Sequence, residues 1–158
     1  CGNEDNFTNL FAKLSLFPLI PVVKPNYKFQ PILVDDVATA IVKAIEIKKN
    51  EGKIYEIGGP TIISFKDMVK SIVSTIGKKR FIIEMPMRLA KIQAALFSLM
   101  PKPLLTKDQC EILNEVDNIV SNNHLTLKDL NIKPTDVQQA MPKWLWRFRA
   151  GGEFAKKN

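Results

Sequence analysis

Apolar residues recur at helical spacing in three stretches before residue 80. Spacings of three and four positions, close to the period of about 3.6 residues, predict an amphipathic helix in each. The first runs from Glu4 to Leu16 and stops at Pro18 and Pro21, and the second follows Asp36 and ends near residues 50–52. The third stops at Gly77, a residue suited to a left-handed helix end. The apolar positions are Phe7, Leu10, Phe11 and Leu14, then Val37, Ile41, Ala44 and Ile45, then Val69, Ile72, Val73 and Ile76.

Short apolar runs between these helices predict strands at Phe29–Val34, Lys53–Ile57 and Phe81–Met85. Two strands that each feed a helix favour an α/β organisation with parallel pairing. Asp35 or Asp36 is the predicted N-cap of the second helix, a role that we favour over an acid/base pair. Ser64 is the predicted start of the third.

After Pro86 the pattern is helical. We predict an amphipathic helix over Met87–Met100. A capping box at Thr106-Lys107-Asp108-Gln109 predicts the start of a second helix, which continues to about Val116. We also predict a short helix from Thr126 to Lys133-Pro134 and a last helix that starts at Thr135-Asp136-Val137-Gln138. The chain therefore divides into an α/β portion over residues 1–85 and a mainly helical region over 86–158.

Composition narrows the class of protein. With 158 residues and 46% hydrophobic residues, the chain is long enough and apolar enough to fold as one globular domain. Its longest apolar stretches, Ile92–Met100 and Leu14–Val23, are too short or too broken by proline to span a bilayer, which needs roughly 20 apolar residues. The net charge of +7 comes from scattered lysines without a nucleic-acid-binding module, so we expect no nucleic-acid partner.

The two cysteines, Cys1 and Cys110, predict neither a disulfide framework nor a metal site, and a reducing compartment is favoured. Two interpretations fit a chain that starts at Cys1: a mature lipoprotein, or an interior stretch of a longer protein. We favour the second, because the residues that follow have the character of interior sequence.

Several blocks together resemble extended short-chain dehydrogenases: Gly2-Asn3-Glu4-Asp5-Asn6-Phe7, Gln30-Pro31-Ile32-Leu33-Val34-Asp35-Asp36-Val37-Ala38 and Tyr55-Glu56-Ile57-Gly58-Gly59-Pro60. Later blocks are similar to the atypical branch that contains the accessory NAD(P)-binding subunit of respiratory complex I: Thr106-Lys107-Asp108-Gln109, Asp117-Asn118, Leu127-Lys128-Asp129-Leu130, Lys133-Pro134-Thr135 and Arg147-Phe148-Arg149-Ala150-Gly151-Gly152. The resemblance covers the downstream half of that family.

This resemblance implies the C-terminal part of a Rossmann-like fold, with few parallel strands that complete the nucleotide-binding domain. It implies NAD(P) as the cofactor of full-length members, but the glycine-rich phosphate turn is missing here, and Gly58-Gly59-Pro60 is better explained as an ordinary turn. The catalytic tyrosine and lysine pair is missing too, because Tyr27 is followed four residues on by Pro31 and Tyr55 by Gly59. We expect no catalytic residue, no metal and no cofactor bound by this chain alone.

The function that the resemblance implies is that of a non-catalytic accessory or assembly subunit of an NADH:quinone oxidoreductase. It would be cytoplasmic or associated with the inner membrane on the cytoplasmic, matrix-equivalent side. The alternative is the substrate-binding part of an NAD(P)-dependent epimerase, reductase or dehydratase. The expected partners are respiratory-complex subunits or the protein's own upstream domain, with a peripheral membrane contact or self-association through an exposed apolar face left open.

Single polar and aromatic residues supply the remaining candidates. Gln30 stands where relatives place a residue near the cofactor or substrate pocket, and an equal alternative is that its amide satisfies backbone groups. His124 is expected in a solvent-facing turn and Cys110 in an apolar helix face. The aromatic and basic tail is the candidate partner-binding segment. The segment comprises Trp144, Trp146, Arg147 and Arg149. For the two tryptophans the favoured role is packing on their own domain, and for the two arginines it is binding at a protein interface. Contact with a membrane ranks third.

Overall fold

The computed structural model describes residues 1–47, 51–86, 117–121 and 123–154. In chain order the elements are α1 (Asn6–Leu14), β1 (Leu19–Val23), β2 (Lys28–Phe29), α2 (Val34–Glu46), β3 (Ile63–Ser64), α3 (Phe65–Thr75), β4 (Phe81–Met85), a 3-10 turn (Leu127–Leu130), α4 (Val137–Ala140), α5 (Pro142–Leu145) and a second 3-10 turn (Trp146–Phe148). The predicted helices over Met87–Met100 and after Thr106, with Cys110, lie outside the described residues.

Two small sheets organise this part of the chain. β1 pairs with β4 in parallel, with Leu19 opposite Phe81 and Pro21 opposite Ile83. β2 pairs with β3 in antiparallel fashion. The α/β class, the parallel pairing and the strand at Phe81–Met85 are confirmed.

The strand β1 was not predicted, because Pro21 was interpreted only as a helix stop. Proline lacks the backbone N–H that a central strand needs, but it is tolerated where that side of the strand has no partner. Among the described residues β1 pairs with β4 alone, so Pro21 can occupy it.

Two other strand predictions were wrong. Of the run Phe29–Val34 only Phe29 is in a strand, and the helix α2 already begins at Val34. Of Lys53–Ile57 only Tyr55 pairs, in a single bridge to Leu125. An apolar run shows that a segment is buried, but the ladder needs a neighbouring strand that the run itself does not specify.

The helix starts show where local signals suffice. The Asp5 carboxylate accepts a hydrogen bond of 2.6 Å from the Thr8 N–H at the start of α1. The Ser64 hydroxyl accepts one of 3.1 Å from the Asp67 N–H at the start of α3, and Gly77 follows that helix with φ of 73°. The Ser64 start and the Gly77 stop of α3 are those that the sequence predicts, whereas the cap at Asp5 was not predicted.

The predicted capping of α2 was wrong. Its N-cap is Leu33, and Asp35 and Asp36 lie within the first helical turn. There the Asp36 carboxylate accepts a hydrogen bond of 2.8 Å from the Thr135 N–H, which lies 99 residues further along the chain. Asp36 therefore ties α2 to the C-terminal segment rather than to its own backbone.

The main core lies between the helices α1 and α3, the inner face of β1 and the C-terminal segment. Its fully buried residues come from all of these elements, for example Ala12, Ile20, Met68, Met141 and Leu145. A smaller cluster joins Ala40 of α2 to Leu127, Leu130 and Ile132. Residues 127–148 are thus packed into the same cores as residues 11–76, and the predicted division after residue 85 stays a prediction.

Among the described ranges, none of the helices has the length and apolar character needed to cross a membrane.

Candidate functional site

Gln30, predicted either to face a cofactor or to satisfy backbone groups, lies where three chain segments meet. Its side-chain Nε2 donates a hydrogen bond of 2.6 Å to the Gly59 carbonyl oxygen, and its Oε1 accepts one of 3.2 Å from the Val120 N–H. Both ends of the amide therefore have backbone partners. This geometry matches the structural role considered for Gln30, and a role toward a cofactor stays a prediction.

The backbone around Gln30 strengthens the same junction. The Gln30 N–H donates to the Asn118 carbonyl oxygen at 3.1 Å, and the Asn118 N–H donates to the Lys28 carbonyl oxygen at 3.0 Å. The Asp117 carboxylate accepts a further bond of 2.9 Å from the Lys28 N–H. Residues 117–120 thus run alongside residues 28–30 as a short parallel extension of the β2 edge.

Two glycines allow this close approach. A Cβ added to Gly59 would lie 1.9 Å from the Pro31 carbonyl oxygen, and one added to Gly58 would lie 2.7 Å from a methyl carbon of Val120 and 2.8 Å from the Gln30 amide carbon. The space in front of both glycines is filled by the protein itself. A pyrophosphate cradle needs glycine backbone that is open to the ligand, so this turn does not fit a dinucleotide.

The two tyrosines have structural surroundings. The half-buried Tyr27 ring stacks on Phe29 with ring centroids 6.4 Å apart, and its carbonyl oxygen accepts a hydrogen bond of 2.8 Å from the Phe65 N–H. Tyr55, also half-buried, packs against the smaller core cluster. Tyr27 thus contacts the start of α3 and Tyr55 contacts the smaller core cluster, and both contacts stabilise the fold.

His124 is exposed, as predicted. Its Nε2 lies 3.8 Å from an oxygen of Glu56, whose other oxygen accepts hydrogen bonds from the N–H and the hydroxyl of Ser121. The serine and histidine thus bind the same carboxylate, whereas a catalytic triad needs the histidine between the other two groups. Within the described ranges, acidic, cysteine and histidine side chains nowhere gather in threes able to hold a metal ion.

Two of the four predicted partner-binding residues hold the domain together. Trp144 is only 6% exposed, and its indole N–H donates to the buried Thr8 hydroxyl. The Arg147 guanidinium donates to the Asn3 carbonyl oxygen at 2.6 Å and to the Asn9 side-chain oxygen at 3.0 Å. Arg147 also lies over the rings of Phe148 and Phe154, at 5.6 and 5.7 Å from their centroids.

The other two residues of this segment lie at the surface. Trp146 is 56% exposed, and Arg149, also exposed, donates a hydrogen bond of 2.8 Å to the Thr75 carbonyl oxygen near the end of α3. A cation at a helix C-terminus stabilises the unpaired carbonyl groups there. Trp146 therefore keeps surface that is available to a partner.

A surface that the site predictions missed lies on α2. Val34, Ile41 and Ile45 are 58%, 54% and 77% exposed, and Val42 is 53% exposed. Positions 34, 38, 41 and 45 are spaced by three and four residues, so they form one stripe along the helix. We call Val34, Ala38, Ile41 and Ile45, together with Val42, the α2 stripe. The signal was present in the sequence as helical periodicity, which shows that a face is apolar but not what covers it.

Comparison with solved structures identifies the class of fold. The dTDP-4-dehydrorhamnose reductase of Clostridium acetobutylicum matches with a TM-score of 0.60 and 15% identity, over 92% of this chain and 44% of that one. The crystal structure of gox2253 matches with a TM-score of 0.60 and 19% identity, over 96% of this chain and 46% of that one. At these identities the likeness shows a shared α/β fold.

Comparison with curated proteins is more specific. The chain is 29% identical, over 157 residues, to NADH dehydrogenase (ubiquinone) 1 alpha subcomplex subunit 9, mitochondrial, of Dictyostelium discoideum. The match covers 97% of this chain and 44% of that protein. It is 31% identical, over 165 residues, to the protein of the same name in Arabidopsis thaliana, with coverage of 96% and 40%. No protein-family model matches. The predicted resemblance to this complex I subunit is confirmed, and the chain spans less than half the length of these relatives.

Proposed function

We propose that this chain is part of a non-catalytic accessory subunit of an NADH:quinone oxidoreductase and that it acts by binding other subunits. The observation that supports this most directly is the similarity to the complex I subunit over nearly all of the chain. Within this chain neither Tyr27 nor Tyr55 has, four residues on, the lysine that partners the proton-transferring tyrosine of extended reductases, so this stretch itself contributes no such pair.

In this proposal any NAD(P) is held by the part of the longer protein that this chain does not span. The closed turn at Gly58 and Gly59 supports that assignment, because Pro31 and Gln30 occupy the space that a pyrophosphate would need. This chain's own contribution is then a surface that binds other subunits. The proposed location is the one in the names of both relatives, which is mitochondrial.

The α2 stripe is the proposed subunit-binding surface, together with Trp146. A contiguous set of exposed aliphatic side chains on one helix costs solubility, and such patches on soluble domains mark interaction sites. Trp146 adds an exposed indole, a residue type that is enriched at the energetic centres of interfaces.

The test is incorporation into the respiratory complex. The tagged protein, produced in cells of its own source and extracted in mild detergent, is expected to migrate on a native gel with NADH dehydrogenase activity. Ile45→Asp is expected to weaken this co-migration, because a charge would be buried in the interface. Thr39→Asp is the matched control, since it puts the same charge on an exposed position of the same helix away from the stripe.

Migration of the wild-type protein at its own mass, apart from the activity, would contradict the accessory function. So would turnover of a ketone or sugar substrate by the purified chain with added NADH or NADPH, which would support the alternative of a reductase or epimerase.

A further inference from the structure

The starts of the parallel strands β1 and β4 form one end of the molecule. Because the strands are parallel, both of their N-terminal ends lie at the same edge of the sheet. The Phe81 N–H donates to the Pro18 carbonyl oxygen at 3.1 Å, and the Arg80 Nε donates to the Ser15 carbonyl oxygen at 2.7 Å. We call residues 13–19 and 78–83 the basic end. It is separate in sequence from the α2 stripe and from Trp146.

The basic end exposes large apolar side chains. Phe81 is 75% exposed and Phe17 is 62% exposed, with Leu19 at 50% and Ile83 at 45%. Leu19 and Phe81 are paired across the sheet, so they stand on the same face, and Ile83 lies two residues further along that face. The opposite face of β1 is buried, with Ile20 and Val22 almost inaccessible. The apolar side chains of the basic end are therefore additional to those that form the core.

The charge around these side chains is predominantly positive. Residues 6–34 and 68–83 contain no aspartate or glutamate. An open cavity of about 480 Å³ beside β4 has four cations in its lining, Lys70, Lys78, Lys79 and Arg80. The two acids that flank residues 68–83 are each paired with a lysine, Asp67 with Lys70 and Glu84 with Lys66, both at 2.9 Å, so Lys78, Lys79 and Arg80 supply the positive charge of the lining. The surface thus presents positive charge directly beside exposed aromatic rings.

Positive charge beside exposed aromatic rings indicates whether a second copy of the chain or a lipid bilayer covers this apolar face. A second copy would bring two surfaces of like charge together, which weakens self-association. An anionic bilayer offers phosphate groups to the cations and an apolar layer below them to the rings. Peripheral proteins that bind such surfaces combine apolar side chains with lysines and arginines in this way. We propose that the basic end binds the surface of an anionic lipid bilayer, with Phe17 and Phe81 entering the boundary between headgroups and acyl chains and Lys78 and Lys79 contacting lipid phosphates.

The experiment is flotation of the full chain with lipid vesicles. Vesicles of phosphatidylcholine alone are compared with vesicles of phosphatidylcholine and phosphatidylglycerol, each at low and at high salt. Binding is expected only to the anionic vesicles and is expected to weaken at high salt, because ions screen the lysine–phosphate attraction. A lysine beside an anionic surface contributes about a fivefold factor in partitioning, so Lys79→Glu, which changes two charges, is expected to lower it about 25-fold.

A further variant, Phe81→Ser, separates the apolar contribution to binding from the contribution of the charge. Phe81→Ser is expected to lower partitioning at both salt concentrations by about tenfold or more, since it removes a bilayer-facing ring. The matched controls are Lys133→Glu and Ile54→Ser, an exposed lysine and an exposed aliphatic residue outside the basic end. They are expected to bind like the wild type. Circular dichroism melts of all four variants show whether the fold is kept.

Four outcomes would overturn the proposal: no flotation with anionic vesicles, equal flotation with both vesicle types, unchanged flotation of folded Lys79→Glu and Phe81→Ser, or equal loss in the controls. Self-association in light scattering that Phe81→Ser abolishes, without vesicle binding, would assign the face to a second copy instead. Because the experiment uses lipid alone, its result does not depend on whether the chain joins a respiratory complex.

Discussion

The indole N–H of Trp144 donates a hydrogen bond of 3.1 Å to the hydroxyl of Thr8, 136 residues earlier in the chain. Both side chains are buried, and the Thr8 hydroxyl in turn donates to the Asp5 carboxylate that caps α1. The aromatic tail is thereby joined to the first helix. Trp144, for which packing on its own domain was ranked first, thus fixes α1 to the C-terminal segment.

Replacing Trp144 with phenylalanine is expected to lower the free energy of unfolding by about 1–3 kcal/mol, since a hydrogen bond is lost and core volume is reduced. Urea denaturation measures the change. Trp146→Phe, at a position that is 56% exposed, is the matched control and is expected to stay within about 0.5 kcal/mol of the wild type. Equal effects of the two substitutions would show that the bond to Thr8 contributes nothing.

Gln30→Met is expected to destabilise the protein by about 1–3 kcal/mol, because it leaves the Gly59 carbonyl oxygen and the Val120 N–H without their side-chain partner. The substitution keeps the length of the side chain. Gln139→Met, at an exposed position, serves as the control in the same urea experiment. If Gln30 acts on a ligand alone, its replacement will leave the unfolding midpoint unchanged.

Gly59→Ala is expected to destabilise the protein by about 2 kcal/mol or more, because the new methyl group would overlap the Pro31 carbonyl oxygen and force the two segments apart. Gly52→Asn is the comparison. Gly52 has a φ of 73°, a conformation that asparagine tolerates, and open space around its Cα. Thermal melts should show a large loss for the first variant and a small one for the second, and the reverse order would contradict the packing of the Gln30 junction.

Asp67 gives a pH dependence whose sign follows from its surroundings. Hydrogen bonds from the Ser64 hydroxyl and from Lys70 lower the pKa of its carboxyl group below the ordinary value of 3.8. The lowered pKa stabilises the fold above the unfolded pKa, and this contribution is lost as the pH falls through the folded pKa. Asp67→Asn is therefore expected to be less stable than the wild type near neutral pH and to approach it below pH 3.8.

Carboxyl chemical shifts in a pH titration measure the same quantity directly. The Asp67 resonance is expected to titrate below 3.8, and Ser64→Ala is expected to move its midpoint upward, since the Ser64 hydroxyl is the largest cause of the shift. An unchanged midpoint in Ser64→Ala would remove the capping hydroxyl as the cause.

Predictions from the sequence succeeded where a signal and its structural partner lie within a few residues. Ser64 and Asp67, at the predicted start of α3, are three residues apart. Thr126, the predicted start of a short helix, is three residues from Asp129 and precedes the 3-10 turn Leu127–Leu130, although the capping box that these two residues form was not predicted. Each pair carries its own geometry, so no distant contact is needed. The predicted cap at Asp35 or Asp36 was the exception, since the Asp36 carboxylate accepts a hydrogen bond from the distant Thr135 N–H and does not cap α2.

The candidate site was less accessible to prediction. Gln30 was found as a position, but its partners Gly59 and Val120 lie 29 and 90 residues away. Trp144 was correctly ranked as packed on its own domain, whereas no local feature distinguishes Arg147, which contacts Asn3 and Asn9, from the more exposed Arg149.

The amino-acid sequence by itself determined the three helices before residue 80, the start and the stop of α3, the α/β class and the likeness to a complex I subunit, because periodicity, caps and ordered motifs are properties of neighbouring residues. Only the tertiary structure decided that Pro21 sits in a strand, that the Gln30 amide joins two distant backbone segments, and that α2 and the basic end are left with exposed apolar side chains. Those outcomes depend on which segments meet in space, and burial is set by the whole packed chain rather than by any stretch of it.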